Sequence, residues 1–247
     1  MSPFQTATAV SVFSLSSLSA LAVAQMHTVY FTQHGKITAT MPAAAYVRQY
    51  QVDAGIAKVQ DFYYPSMKKY SDPYRLNAAR IKTFVPVLDN GTLTLWHFNG
   101  QKKMVGAYRN GRPHGDWTNW YPNGKKSAVM PYVNGQSEGT GSRYYRNGNK
   151  ESEIQFKQNK ANGHWKQWYA DGSPKTEMTM QNDRPTGIIS WNDEGRLLSE
   201  LTINQGRKSG IVLDWYDSGA KKSETVYLND QMVKRTEWDE EGAVIAE

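Results

Sequence analysis

The chain contains no cysteine. Disulfide frameworks, thiolate metal sites and a lipid anchor on cysteine are therefore excluded. Histidine is scarce, with 5 in the whole chain: His27, His34, His97, His114 and His164. None pairs with another, or with carboxylates, at metal-ligand spacing. His114 and His164 flank glycines and are expected at turns. A Gly-x-Ser-x-Gly elbow and a phosphate-cradling loop are also missing. Glu151, Glu153, Glu177, Glu200 and Glu224 recur at loosely repeated positions, which reads as solvated strand faces and not as a catalytic pair. No catalytic, cofactor-binding or metal residue is predicted, and the chain is read as non-enzymatic.

Long apolar runs are absent apart from one. The first 34 residues hold no Lys, Arg, Asp or Glu. Within them Ala7 to Ala24 is small and apolar and ends in Ala22-Val23-Ala24, a cleavage pattern that would leave Gln25 as the new terminus. The run is too serine-rich for a convincing membrane span. Residues 1–24 are read as a signal peptide lacking a basic n-region, and the protein as exported, periplasmic or extracellular in a bacterial envelope.

What is abundant is glycine at regular intervals. It recurs at Gly100, Gly124, Gly148, Gly172, Gly195, Gly219 and Gly242, a period of 23–24 residues, and a second series runs Gly91, Gly115, Gly139, Gly163, Gly187 and Gly210. Such regularity marks stacked supersecondary units and not one compact core. Each unit has two turn signals. One is Asn123-Gly124, Asn147-Gly148 or Asp171-Gly172. The other is Asn110-Gly111 or Asn134-Gly135, with degenerate forms Asn159-Lys160, Asn182-Asp183 and Asn229-Asp230. Asn and Gly accept the positive φ of tight hairpins. The runs between them, rich in Trp, Tyr, Val, Ile and Thr, read as strands. The predicted fold is all-β: an elongated antiparallel meander of tandem β-hairpin repeats over residues 87–247.

Aromatic residues recur with the turns. Trp120-Tyr121, Tyr144-Tyr145, Trp168-Tyr169 and Trp215-Tyr216 are equivalent pairs, with Trp117 and Trp165 three residues ahead of two of them. Trp96 and Trp191 hold related positions. Strand alternation puts Trp117, Asn119 and Tyr121 on one face and Trp120 on the other. One set must pack between hairpins, and the other is a candidate partner-binding strip.

The unit Asn110-Gly111-Arg112-Pro113-His114-Gly115-Asp116-Trp117-Thr118-Asn119-Trp120-Tyr121-Pro122-Asn123-Gly124-Lys125-Lys126 resembles the MORN-repeat variant, also seen in YwqK-like antitoxin proteins. The resemblance covers about Leu88 to Glu247. Departures are Val233 in place of an opening glycine and Ser190-Trp191-Asn192 in place of a Trp-Tyr pair. The family implies a sheet of antiparallel hairpins that binds protein or membrane, and the antitoxin name implies neutralisation of a toxin by direct binding. Upstream, Phe62 to Lys69 and Tyr30 to Lys36 look like worn copies, so residues 25–86 are read as diverged capping strands. Ala43 to Gln51 suits a strand better than a short helix.

Charge is divided along the chain. Residues 36–170 hold 20 Lys/Arg and 8 Asp/Glu, a balance of +12, and residues 171–247 hold 9 and 15, a balance of −6; together these give the net +6. In an elongated array this makes a basic end and an acidic end, suited to steering a charged partner or to stacking head to tail. The expected partner is another protein, with a membrane surface or cell-wall polymer as the alternative. Nucleic acid is disfavoured for an exported chain, and the sequence sets no oligomeric state.

Overall fold

The computed structural model describes residues 25–247; the signal-peptide reading of residues 1–24 lies outside them. The described chain is almost entirely antiparallel β-structure in two sheets. The first has four strands in sequence order: β1 (His27–Phe31), β2 (Tyr46–Asp53), β3 (Ile56–Tyr63) and β4 (Tyr74–Asn77). Of the Ala43–Gln51 segment, only Ala43 belongs to a 3-10 turn (Met41–Ala43), and the strand begins at Tyr46.

The second sheet has 15 strands. These are β5 (Asn90–Trp96), β6 (Lys102–Arg109), β7 (Arg112–Trp120), β8 (Lys126–Val133), β9 (Gln136–Ser137), β10 (Gly139–Tyr144), β11 (Lys150–Lys157), β12 (Lys160–Trp168), β13 (Pro174–Gln181), β14 (Arg184–Trp191), β15 (Leu197–Asn204), β16 (Arg207–Trp215), β17 (Lys221–Leu228), β18 (Gln231–Trp238) and β19 (Val244–Ala246). Apart from the two-residue β9, each strand hydrogen-bonds to its neighbours in sequence, giving one open meander. At about 4.8 Å between strands the ribbon runs ~60 Å. Its one interruption has a chemical cause. Pro131 in β8 has no N–H for the next strand. Its carbonyl still accepts from the Glu138 N–H at 3.2 Å, and at that residue the partner strand divides into β9 and β10.

The two turn signals build different turns. After each aromatic pair the chain closes over five residues. In the clearest copy the Gly124 N–H donates to the Tyr121 carbonyl at 2.9 Å and the Tyr121 N–H to the Lys125 carbonyl at 2.8 Å. Gly124 alone takes the left-handed conformation there, as the three-residue loop with a glycine bulge requires. The second turn has two residues at positive φ, Asn110 (51°) and Gly111 (73°) in one copy, which is the type I′ hairpin. One degenerate turn is corrected by a residue: its central pair is Gln158 and Asn159, not Asn159 and Lys160. Lys160 is already in β12, paired with Lys157. The Asn159 side chain explains the choice of residue, since its Oδ1 accepts from the Ser137 N–H at 2.7 Å in the preceding unit. Asp183 and Asp230 do the same for Ala161 and Lys208.

His114 and His164 are not at turns. Both lie within strands, β7 and β12, where the pairing skips residues beside Gly115 and Gly163. The unit-opening glycines thus mark β-bulges, which bend a strand and increase its twist. At Gly210 the constraint is absolute: φ is +135° and a Cβ would stand 2.1 Å from the Glu200 carbonyl oxygen.

The principal core lies where the two sheets meet. Val59, Tyr74 and Leu76 of the first sheet bury against Leu93, Leu95 and Tyr108 of the second. The outer edge of β5 is not left open: Trp96 N–H donates to the Tyr70 carbonyl at 2.8 Å and Asp72 N–H to the Thr94 carbonyl at 3.0 Å, which blunts an otherwise adhesive edge. Beneath this core, Arg48 and Asp61 form a fully buried pair, with Nε to Oδ1 at 2.7 Å and Nη2 to Oδ2 at 3.0 Å. The guanidinium also donates to the carbonyls of Ile81, Thr83 and Phe84. The Tyr74 hydroxyl donates to Asp61 Oδ2 at 2.7 Å. Every polar group of the pair is engaged, as burial of charge demands, and the pair ties β2 to the segment that leads into the array.

Candidate functional site

The ladder register sorts the array into two faces. On one, Trp117 stands opposite Met130, Ile154 opposite Gly141 and Trp165, Met178 opposite Trp165 and Ile188, and Leu201 opposite Ile188 and Gly210. Directly opposed residues share a face, so this is a continuous apolar row. On the other face, Ser142, Glu153, Lys166 and Glu177 follow one another, with Lys166 Nζ 3.0 Å from Glu177 Oε1.

The apolar row begins inside the protein and ends outside it. Trp117 packs against the inter-sheet core, edge-on to Tyr108 at 5.0 Å, and its indole N–H donates to the Ala107 carbonyl at 3.1 Å. The indole fits because residue 106 is glycine: a Cβ there would fall 2.3 Å from the ring. Further along the array no second layer lies over the row among the described residues. There the surface dips into a trough of ≈ 720 Å³, lined by Met130, Tyr132, Ile154, Phe156, Trp165 and Arg143 among others. Gly141 gives it depth, since a Cβ at that position would meet Met130 and Phe156 at 3.2 Å. Trp120 and Tyr121 both border the trough. Strict alternation would split that pair between faces, but the register shifts between Asn119 and Trp120.

The remaining candidate aromatics stand in two series at the turn edge, all of them half-buried. The second residue of each pair makes a rung between units. The hydroxyls of Tyr121, Tyr145, Tyr169 and Tyr216 donate to the carbonyls of Tyr144, Trp168, Trp191 and Trp238, at 2.7, 2.8, 3.0 and 2.9 Å. His97 bonds the Trp120 carbonyl in the same way at 2.8 Å. Tyr63 reaches the Trp96 carbonyl at 2.8 Å and so carries the series across from the first sheet. Asn192, standing where a tyrosine is expected, has no such rung; its side chain bonds within its own turn. Instead the Trp215 indole N–H donates to the Leu197 carbonyl at 2.8 Å. The first residue of the pair carries a cation on its ring in several units: Lys69 over Trp96 at 3.8 Å, Lys102 over Trp120 at 5.9 Å and Lys150 over Trp168 at 5.6 Å. The lysine just after each turn thus packs beneath the next aromatic.

Sequence reasoning did not find these rungs, although the 23-residue spacing of tyrosines was their signal. It also missed Met130, Ile154 and Phe156 as trough residues, because they lie in second strands whose apolar positions look unremarkable in a list. The five repeated glutamates do not converge. Glu153, Glu177 and Glu224 pair with Lys150, Lys166 and Lys221, and Glu151 lies 4.0 Å from Arg143. Among the described residues no group of three or more His, Cys, Asp or Glu is arranged to hold a metal ion. A second recess of ≈ 920 Å³, between the turns near Gln181–Thr186 and Ile203–Gly206, is lined mainly by polar side chains and backbone and contains none of the aromatics.

Fold and site together define a hairpin-repeat protein: one long antiparallel ribbon, stitched unit to unit, with an uncovered apolar trough. The repeats themselves are MORN repeat variants. That family's profile matches residues 113–134, 137–158 and 161–182, three consecutive units that contain most of the trough lining. No curated protein matches the chain.

Proposed function

We propose that this protein is an exported, non-catalytic scaffold that binds another protein in the trough on its apolar face. The observation carrying this reading is the apolar row itself. Where the N-terminal sheet lies over it, the row is core; beyond Trp117 the same chemistry continues without cover. Half-buried Trp, Met, Ile and Phe around a concavity suit an apolar anchor from a partner. Export rests on the Ala7–Ala24 run and its small-residue cleavage pattern. A second reading, a surface binder of anionic lipid headgroups or cell-wall polymer, is favoured by the +12 balance of residues 36–170.

Adjacent residues on opposite faces give a test. A photoreactive amino acid at Ile154 lies in the trough, and one at Glu153 points away from it. In the native cells, a discrete protein adduct from position 154 and none from position 153 is expected, on a bait whose N-terminus is Gln25. Equal labelling from both positions, or none from either, refutes trough binding. A bait that retains Met1 refutes export by cleavage.

A further inference from the structure

The seven five-residue turns of the array all lie along one edge of the ribbon, because each unit contributes two antiparallel strands and one such turn. Neighbouring turns on this edge are two strands apart, about 10 Å. Their charge changes sign once. The turns at 97–101, 121–125 and 145–149 are followed by or contain Lys102, Lys125, Lys126 and Arg146; the turns at 169–173, 192–196, 216–220 and 239–243 contain Asp171, Asp193, Asp217 and Glu240 with Glu241. The N-terminal sheet extends the basic block with Lys68 and Lys69 beside its own turn. Many of these charges are unspent. Lys102, Lys126 and Arg146 on one side, and Asp193, Asp217, Glu240 and Glu241 on the other, have no ion-pair partner among the described residues. All seven are exposed.

An edge with one sign change at its middle is complementary to itself when reversed. We infer that two copies of this chain associate through their turn edges, antiparallel, about a two-fold axis between the turn at 145–149 and the turn at 169–173. That rotation sets Arg146 against the partner copy's Asp171 turn and Lys125 and Lys126 against the Asp193 turn. It also sets Lys102 against the Asp217 turn and Lys68 and Lys69 against the Glu240–Glu241 turn. All four facing pairs are opposite in sign. Register needs no adjustment, because both edges carry the same repeat spacing. A two-fold contact of this kind closes, so association stops at the dimer and does not run on into fibres. A parallel alignment would set like against like along the whole edge. Single exposed ion pairs contribute little; the dimer depends on their repetition, which makes it sensitive to salt. The trough lies on the sheet face and stays accessible.

Sedimentation of the full chain at about 0.01 M and about 1 M salt, where the Debye length is ~30 and ~3 Å, tests the inference. A dimer at low salt that dissociates at high salt is expected. Asp193→Lys with Asp217→Lys should leave a monomer, as should Lys125→Glu with Lys126→Glu and Arg146→Glu. Mixing the two variants should restore a dimer, which also shows that both are folded. Because the chain has no cysteine, position can be read directly. Ala170→Cys, next to the axis, should oxidise to a covalent dimer, and Ser218→Cys, far from it, should not. A monomer at low salt, a dimer that survives both 1 M salt and the reversals, or equal crosslinking from both cysteines overturns the proposal. A low-salt monomer that instead binds an anionic polymer or anionic vesicles overturns it in favour of a polyanion strip.

Discussion

Replacing Arg48 by methionine keeps much of the side-chain volume and removes the guanidinium. The Asp61 carboxylate, 1% exposed, then retains only the Tyr74 hydroxyl. The carbonyls of Ile81, Thr83 and Phe84 each lose a donor. Breaking a buried pair from one side costs about 3–5 kcal/mol, and the orphaned carbonyls add to the strain on the same segment. Against a whole-domain stability of roughly 5–15 kcal/mol that is enough to open the N-terminal sheet. It should not open the far array, because in a repeat ribbon each unit is held by its neighbours. Hydrogen exchange resolved by peptide is the assay. Protection over residues 46–63 and 81–84 should fall by about two to three and a half decades, at ~1.4 kcal/mol per decade, with residues 150–246 little changed. Arg48→Met combined with Asp61→Leu should cost less than Arg48→Met alone, since no charge is then left unpaired. Unchanged protection, a uniform loss along the chain, or a double variant worse than the single refutes the assignment of the pair as the lock of this sheet.

Two further outcomes are expected. Tyr121→Phe removes the rung to the Tyr144 carbonyl and should cost about 0.5–1.5 kcal/mol, seen as a lower denaturation midpoint; an unchanged midpoint removes the rungs from the account of unit stacking. Burial, with a further push from Tyr46, raises the Tyr63 hydroxyl from 10.0 to about 12, and burial also lifts Tyr70 and Tyr74. A raised folded-state value means the folded protein holds these protons more tightly. Their contribution is complete below pH 10 and is lost as pH rises through the folded values. Melting temperature should therefore fall steeply above pH 10, and less steeply in Tyr74→Phe if the tyrosines are the cause.

The repeat, its period and the hairpin fold were legible in the sequence because turns are local. Glycine at 124 and asparagine at 110 state their backbone geometry through their own φ preferences, and the intervals between them count out the strands. Turn type was less plain. The same Asn-Gly dipeptide makes a five-residue loop at 123–124 and a two-residue hairpin at 110–111, and only the pairing of the flanking strands separates them. Asn159 was misread by one residue for the same reason: its value lies in an oxygen that reaches Ser137 in the unit before. The worn copies at Tyr30–Lys36 and Phe62–Lys69 were visible as turns. Gly35 N–H donates to the Thr32 carbonyl as Gly124 does to Tyr121, and the Tyr63 turn is one residue longer. What the sequence could not show is what long-range packing decides. Arg48 and Asp61 look like ordinary surface charges in a strand list, and become a buried lock only once β2, β3 and the 81–84 segment converge. Trp117 and Trp165 read as equivalents, yet the first is packed into a core and the second borders an open trough. The difference is a second sheet folded over one end of the ribbon, an arrangement that no local propensity encodes.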